Sequence, residues 1–220
     1  MDDLFVAAID VGSPENLGIA TNEPKDEKQS ITNDVSTSME LLLNQIASKL
    51  KSGNKRVALG FEAPMWIPMR KELLMITKAR PDDGGKAWSA QTAPTVLSLA
   101  LIPWCLDRLK RELEPSQLKV TVNIKNWKPG ILFLWEAFVS GEAKNIQTDC
   151  IGSAHDRDAQ IALDAFIEQE KNKTLKNIPI DLEIGCFSII EACLHSVGLT
   201  LIGSENDNVY PLIIKPEKKS

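Results

Sequence analysis

The strongest constraint on this chain lies at its start. Leu4 to Val11 is a nearly unbroken apolar run that leads into Asp10-Val11-Gly12-Ser13-Pro14. A segment without a polar face suits a strand buried on both sides, and the glycine and proline after it supply the turn that closes it. Such a strand belongs at the centre of a sheet. The 220 residues can bury roughly 70% of their unfolded surface, which is ample for one domain spanning residues 1–220. With 43% hydrophobic and 25% charged residues, disordered and fibrous classes are excluded. The formal net charge of −5 excludes a globally basic nucleic-acid coat.

Downstream, the signals alternate between strand and helix. Leu17 to Thr21 reads as a second strand, and the polar stretch Asn22 to Ser30 as a turn into a short third one, an antiparallel meander. After the N-cap candidates Ser36, Thr37 and Ser38, with Glu40 in the first turn, Met39, Leu42, Leu43, Ile46, Ala47 and Leu50 recur at helical spacing until Gly53. Lys55 to Glu62 alternates, with Val57, Leu59 and Phe61 on one face and Ala58, Gly60 and Glu62 on the other, before Pro64 interrupts. Pro68 to Pro94 has few periodic signals, which predicts a long loop or partly helical insertion at about residues 66–94. Thr95 to Glu114 reads as a helix with Pro103 as a kink, and Ile131 to Val139 as a strand carrying Glu136. Asp156 to Glu170 and Cys186 to Val197 read as further helices, and Val209 to Ile214 as a final strand before a basic tail. The expected fold class is α/β, one central mixed β-sheet flanked by helices, with a C-terminal extension from about residue 172 that completes the sheet or forms a lid.

The cysteines, Cys105, Cys150, Cys186 and Cys193, form no CxxC pair and read as reduced thiols. No basic leader precedes Leu4, and Thr95 to Leu106 is too short and Pro-broken to span a bilayer, so a cytoplasmic protein with no membrane partner is expected.

Asp10, Glu62, Glu136 and the run His155-Asp156-Arg157-Asp158 stand out because each ends or begins an element. An unpaired buried carboxylate costs several kcal/mol, roughly, so a cluster of them calls for cations or shared protons, and a divalent metal is the simplest answer. The bland alternative for Asp156 or Asp158 is a helix cap. Asp164 falls on another helical face and reads as surface, while Cys193 and His195 read as packing residues on an apolar helix.

A strand ending Ile9-Asp10-Val11-Gly12, a later one ending Gly60-Phe61-Glu62-Ala63-Pro64, and a helix opening His155-x-x-Asp158-Ala159 resemble the RNase H-like superfamily. The nearest echoes are the RuvC-type resolvases and a family of uncharacterised predicted RNase H-like nucleases. The resemblance implies an RNase H-like fold and a divalent-metal-dependent nuclease using Mg²⁺ or Mn²⁺. On this chain its catalytic positions fall on Asp10, Glu62, His155 and Asp158, with Asp10, Glu62 and Asp158 as metal ligands. Trp135-Glu136-Ala137-Phe138 is similar to a strand of the uncharacterised family that often carries Glu, which implies that Glu136 is an auxiliary ligand; read from its neighbours alone, it could instead pair with a nearby lysine at a sheet end.

The loop residues Arg70, Lys71, Arg80, Lys86 and Trp88, together with Trp66, offer cations for phosphates and rings for bases, or equally form a solvated loop whose aromatic anchors pack on the core; nucleic acid as the partner is what the resemblance implies. The apolar surface of Thr95 to Glu114 is a candidate homodimer interface. Two other readings stay open: a non-catalytic binding or regulatory module of the same fold, and an actin-like or sugar-kinase phosphotransferase, which needs a second copy of the unit that this chain is too short to hold.

Overall fold

Every residue of strand β1 (Leu4–Asp10) is buried, as a run with no polar face requires. The computed structural model describes residues 3–23, 34–80, 88–114, 117–139, 152–177, 185–203 and 211–216. Among them the other strands are β2 (Gly18–Thr21), β3 (Arg56–Phe61), β4 (Trp66–Pro68), β5 (Lys119–Thr121), β6 (Ile131–Ala137), β7 (Cys186–Ser188) and β8 (Ile213–Ile214). The α-helices are α1 (Val35–Ser52), α2 (Thr92–Glu112), α3 (Ala154–Lys171) and α4 (Ile189–Ser196).

The main sheet runs β2-β1-β3-β6-β5, and β8 pairs with the end of β6 on the side where β5 pairs with its start. Only β2 is antiparallel to its neighbour, which makes the sheet mixed and the class α/β, as expected. Side-chain alternation divides the interior in two. Phe5, Ala7 and Ile9 of β1, Val57, Leu59 and Phe61 of β3, and Leu132 and Leu134 of β6 pack against α1, α2 and α4. Leu4, Val6, Ala8, Ala58, Phe133 and Trp135 pack against α3. The predicted alternation of β3 is therefore present. Gly60 has a packing reason: a Cβ there would lie 2.2 Å from the Trp135 indole, which passes over β3 to meet Phe166 of α3 at a centroid distance of 4.7 Å.

Several boundaries move for physical reasons. The α1 cap is Asp34, whose carboxylate accepts from the Ser36 and Thr37 N–H groups, so Glu40 lies beyond the first turn and pairs with Arg108 of α2 at 2.9 Å. Gly53 ends α1 in the left-handed region at φ 62°. Helix α2 starts at Thr92, since Pro94 falls in the first turn where a missing N–H is harmless, and Pro103 stands inside it. Cys186–Ser188, expected as helix, pairs with β4 because Ser188 caps α4 from an extended conformation. The expected third strand lies largely outside the described residues, and the 66–94 insertion contains β4 and 3₁₀ turns at Leu73–Met75 and Trp88–Gln91. Of the C-terminal strand, Ile213–Ile214 extends the main sheet and α4 joins its core, so the extension completes the sheet.

Cys105 and Cys193 are free thiols, and Cys150 lies outside the described residues. Burial pushes the Cys193 thiol up to about 11 and Cys105 higher still, which removes both as nucleophiles. Asp164 is exposed, as expected, whereas His195, expected to pack, faces solvent from the end of α4. No helix among the described residues is long and apolar enough to cross a membrane.

Glu23, just past β2, binds Lys49 of α1 at 2.7 Å and Lys55 beside β3 at 2.6 Å. Burial works to raise its pKa, but hydrogen bonds and charge from Lys49 and Lys55 together outweigh this and leave the carboxyl below its usual range. A depressed carboxylate pKa stabilises the fold above the ordinary glutamate value and loses that effect as pH falls through the lowered one. Glu23→Gln is expected to cost about 0.5–1 kcal/mol near neutral pH. Urea melts repeated in acid should show the difference shrinking toward zero.

Candidate metal centre

Asp10 is the last residue of β1, and Glu62 follows the last residue of β3 with its N–H on the Ile9 carbonyl at 2.8 Å. Because β1 and β3 run parallel with Ile9 opposite Phe61, the two acids emerge from adjacent strand ends. Alternation then sends both toward α3. Asp158, one turn into α3, meets them there: one carboxylate oxygen from each of Asp10, Glu62 and Asp158 lies within 4.8 Å of the others. All three residues are buried, at 8%, 6% and 5% exposure, and Glu62 Oε2 and Asp158 Oδ1 are sealed from solvent.

The start of α3 is held by local chemistry. Ser153 Oγ accepts from Asp156 N at 3.1 Å, and Asp156 Oδ2 accepts from Ser153 N at 2.9 Å, a reciprocal capping box. The capping role thus belongs to Ser153 and Asp156, and Asp158 serves the acidic cluster. Asp156 Oδ1 also accepts from Ile19 N of β2 at 3.3 Å. A Cβ at Gly18 would lie 2.0 Å from the His155 carbonyl oxygen, so the bare backbone there lets α3 sit directly on β2. His155 Nδ1 lies 2.5 Å from Asp10 Oδ2, with its side chain 40% exposed. Gly18→Ala is expected to lift the first turn of α3, costing about 1–3 kcal/mol. It should weaken divalent binding as well, read by a denaturant melt and a Mn²⁺ titration.

Four of the expected residues, Asp10, Glu62, His155 and Asp158, therefore converge, and others do not. Ile9, Phe61 and Glu136 stand in one row across the sheet. Glu136 thus shares a face with Leu132 and Leu134, toward α1, α2 and α4, opposite the acidic triad. There it forms a fully buried ion pair with Arg80, whose Nη1 lies 3.0 Å from Glu136 Oε2 and whose Nη2 bonds Oε1. Glu136 as auxiliary ligand is corrected by this geometry, and so is Arg80 as a phosphate contact, since its guanidinium is inside the protein. Trp66 is also fully buried, beneath Arg80 at 4.9 Å, and offers no ring to a base. Arg70 is half-buried and donates to the Ala79 carbonyl at 3.0 Å, and Trp88, also half-buried, donates to the Ile76 carbonyl at 3.0 Å. Lys71 is exposed, and Lys86 lies outside the described residues.

The sequence reading missed the roles of Ser153, Gly18 and Arg80. Ser153 carries a legible signal, the Ser-x-x-Asp pattern ahead of an apolar periodicity. The other two depend on contacts between distant segments.

Three carboxylates this close repel one another in a poorly solvated site, and hard oxygen donors are what Mg²⁺ and Mn²⁺ prefer. The donor set fits a divalent cation. None of the family models, curated proteins or solved structures compared with the chain matches it.

Proposed function

We propose that this chain is a divalent-metal-dependent phosphodiesterase of RNase H-like fold that cuts nucleic acid. The observation that carries this reading is the convergence of Asp10, Glu62 and Asp158, from two adjacent strand ends and one helix, on a single buried point. Their order along the chain and their places in the elements agree with the resemblance to RuvC-like enzymes. The antiparallel β1–β2 pair joined to parallel β3 and β6 is compatible with it.

Bound Mg²⁺ or Mn²⁺ would activate a water and neutralise charge on the leaving oxygen of a phosphodiester. The residues supply the rest. Asp10, Glu62 and Asp158 hold the ion or ions, and α3, seated on β2, fixes the distance between the Asp158 ligand and the strand-end ligands. His155, turned toward Asp10 through Nδ1, keeps Nε2 for moving a proton to or from water or the leaving group. Arg70 and Lys71 remain the proposed phosphate contacts, and a net charge of −5 means that such contacts rest on particular cations and not on a broadly basic surface. The candidate homodimer face of α2 exposes Val96, Leu99 and Trp104.

The test is cleavage of labelled single strand, duplex, RNA–DNA hybrid and four-way junction with Mg²⁺ or Mn²⁺, wild type against folded Asp10→Asn. Metal-dependent cutting lost in the variant supports the proposal. A folded wild type that cuts nothing and binds no divalent ion favours the non-catalytic module.

A further inference from the structure

The turn that carries Glu62 is gripped from the side opposite its carboxylate. Glu62 faces α3, whereas Ala63 and Met65, on either side of Pro64, belong to the core on the other face. On that side the Met65 N–H donates to Glu136 Oε2 at 2.9 Å, and the Met65 carbonyl accepts from Ile190 N of α4 at 3.1 Å. Arg80 holds Glu136 with both arms of its guanidinium, donates from Nη1 to the Trp66 carbonyl at 3.1 Å, and lies over the Trp66 ring. Glu136 thus links the end of β6 to the turn, and Arg80 locks both. Pro64 adds a fixed backbone torsion between the ligand and the anchor.

We infer that Arg80 and Glu136 are positioning residues for the Glu62 ligand, a clamp that sets where the turn after β3 places its carboxylate. The inference rests on the metal-centre reading. It explains why a costly buried ion pair sits behind a site that neither partner enters: two planar groups meeting in a fork define a position, which a packed apolar pair does not. Groups that orient a metal ligand without touching the metal commonly alter affinity by about 10–100-fold when removed.

The experiment pairs Mn²⁺ titration by calorimetry with amide hydrogen exchange of the metal-free protein. It compares wild type, Arg80→Met/Glu136→Met and Arg80→Lys. The double variant removes both charges together and so avoids leaving one buried alone; Arg80→Lys keeps the charge but loses the fork. The clamp predicts faster exchange over residues 62–66 in the double variant, with the central strands still protected, and Mn²⁺ binding weaker by about tenfold or more. Arg80→Lys should fall between the two. A double variant that exchanges faster yet binds Mn²⁺ like wild type overturns the inference and leaves the metal centre standing. If the double variant does not fold, Arg80→Lys decides alone, and wild-type affinity in it overturns the clamp. A wild type that binds no Mn²⁺ ends the metal reading, and the clamp with it, before any variant is compared.

Discussion

Asp158→Asn is expected to remove the proposed cleavage almost completely while leaving the metal-free protein folded and no less stable than wild type. Asp158, Asp10 and Glu62, all buried, bring one carboxylate oxygen each within 4.8 Å of one another where the strand ends meet α3. Ionised carboxylates at that separation oppose each other, and an amide of the same shape relieves the repulsion. The variant should therefore gain about 0.5–2 kcal/mol without metal, the pattern of a site where function opposes stability. With metal the order reverses. Wild type saturated to about 100 times its Kd gains about 2.7 kcal/mol, and a variant that has lost a ligand gains little of it. If about 4 kcal/mol of transition-state stabilisation goes with the ligand, cleavage falls by about 10³-fold. Melting curves with and without Mg²⁺, beside a cleavage assay, check both halves.

The largest loss of stability belongs to Arg80→Ala. The Arg80 and Glu136 side chains are both fully inaccessible, and truncating the arginine leaves the Glu136 carboxylate buried without its cation. Breaking one partner of such a pair costs about 3–5 kcal/mol, several times the effect expected at the partly exposed Glu23. Part of the loss should return as pH falls and Glu136 takes up a proton. Arg80→Met/Glu136→Met should melt closer to wild type, because no charge is left behind. Urea unfolding at neutral and acid pH separates these outcomes.

The parts of this fold that were legible in the sequence are those decided by local pattern. The Leu4 to Val11 run announced a buried strand, the spacing from Met39 to Leu50 gave α1, and the alternation of β3 placed Glu62 on the opposite face from Phe61. Asp10, Glu62, His155 and Asp158 stood out because each lies at the edge of an element. The side on which Glu136 falls depends on its register with Phe61, which β6 alone does not reveal. Its pairing with Arg80, 56 residues earlier, is a property of the folded loop, so the sequence alone suggests binding roles for both residues that their burial rules out. Lys119–Thr121 and Cys186–Ser188 are too short to show a period, and the second was absorbed into the helix that Ser188 starts. Gly18 carried no signal because the backbone it admits comes from α3.

The most direct test of the proposed metal centre is a Mn²⁺ titration of the wild-type protein, followed by calorimetry or by loss of the free-ion electron paramagnetic resonance signal, with Asp158→Asn alongside. A metal centre built on these carboxylates gives saturable binding in the wild type that falls by about tenfold or more in the variant, as loss of a ligand requires. Binding of equal strength in both proteins, or none in a wild type shown to be folded, would contradict it.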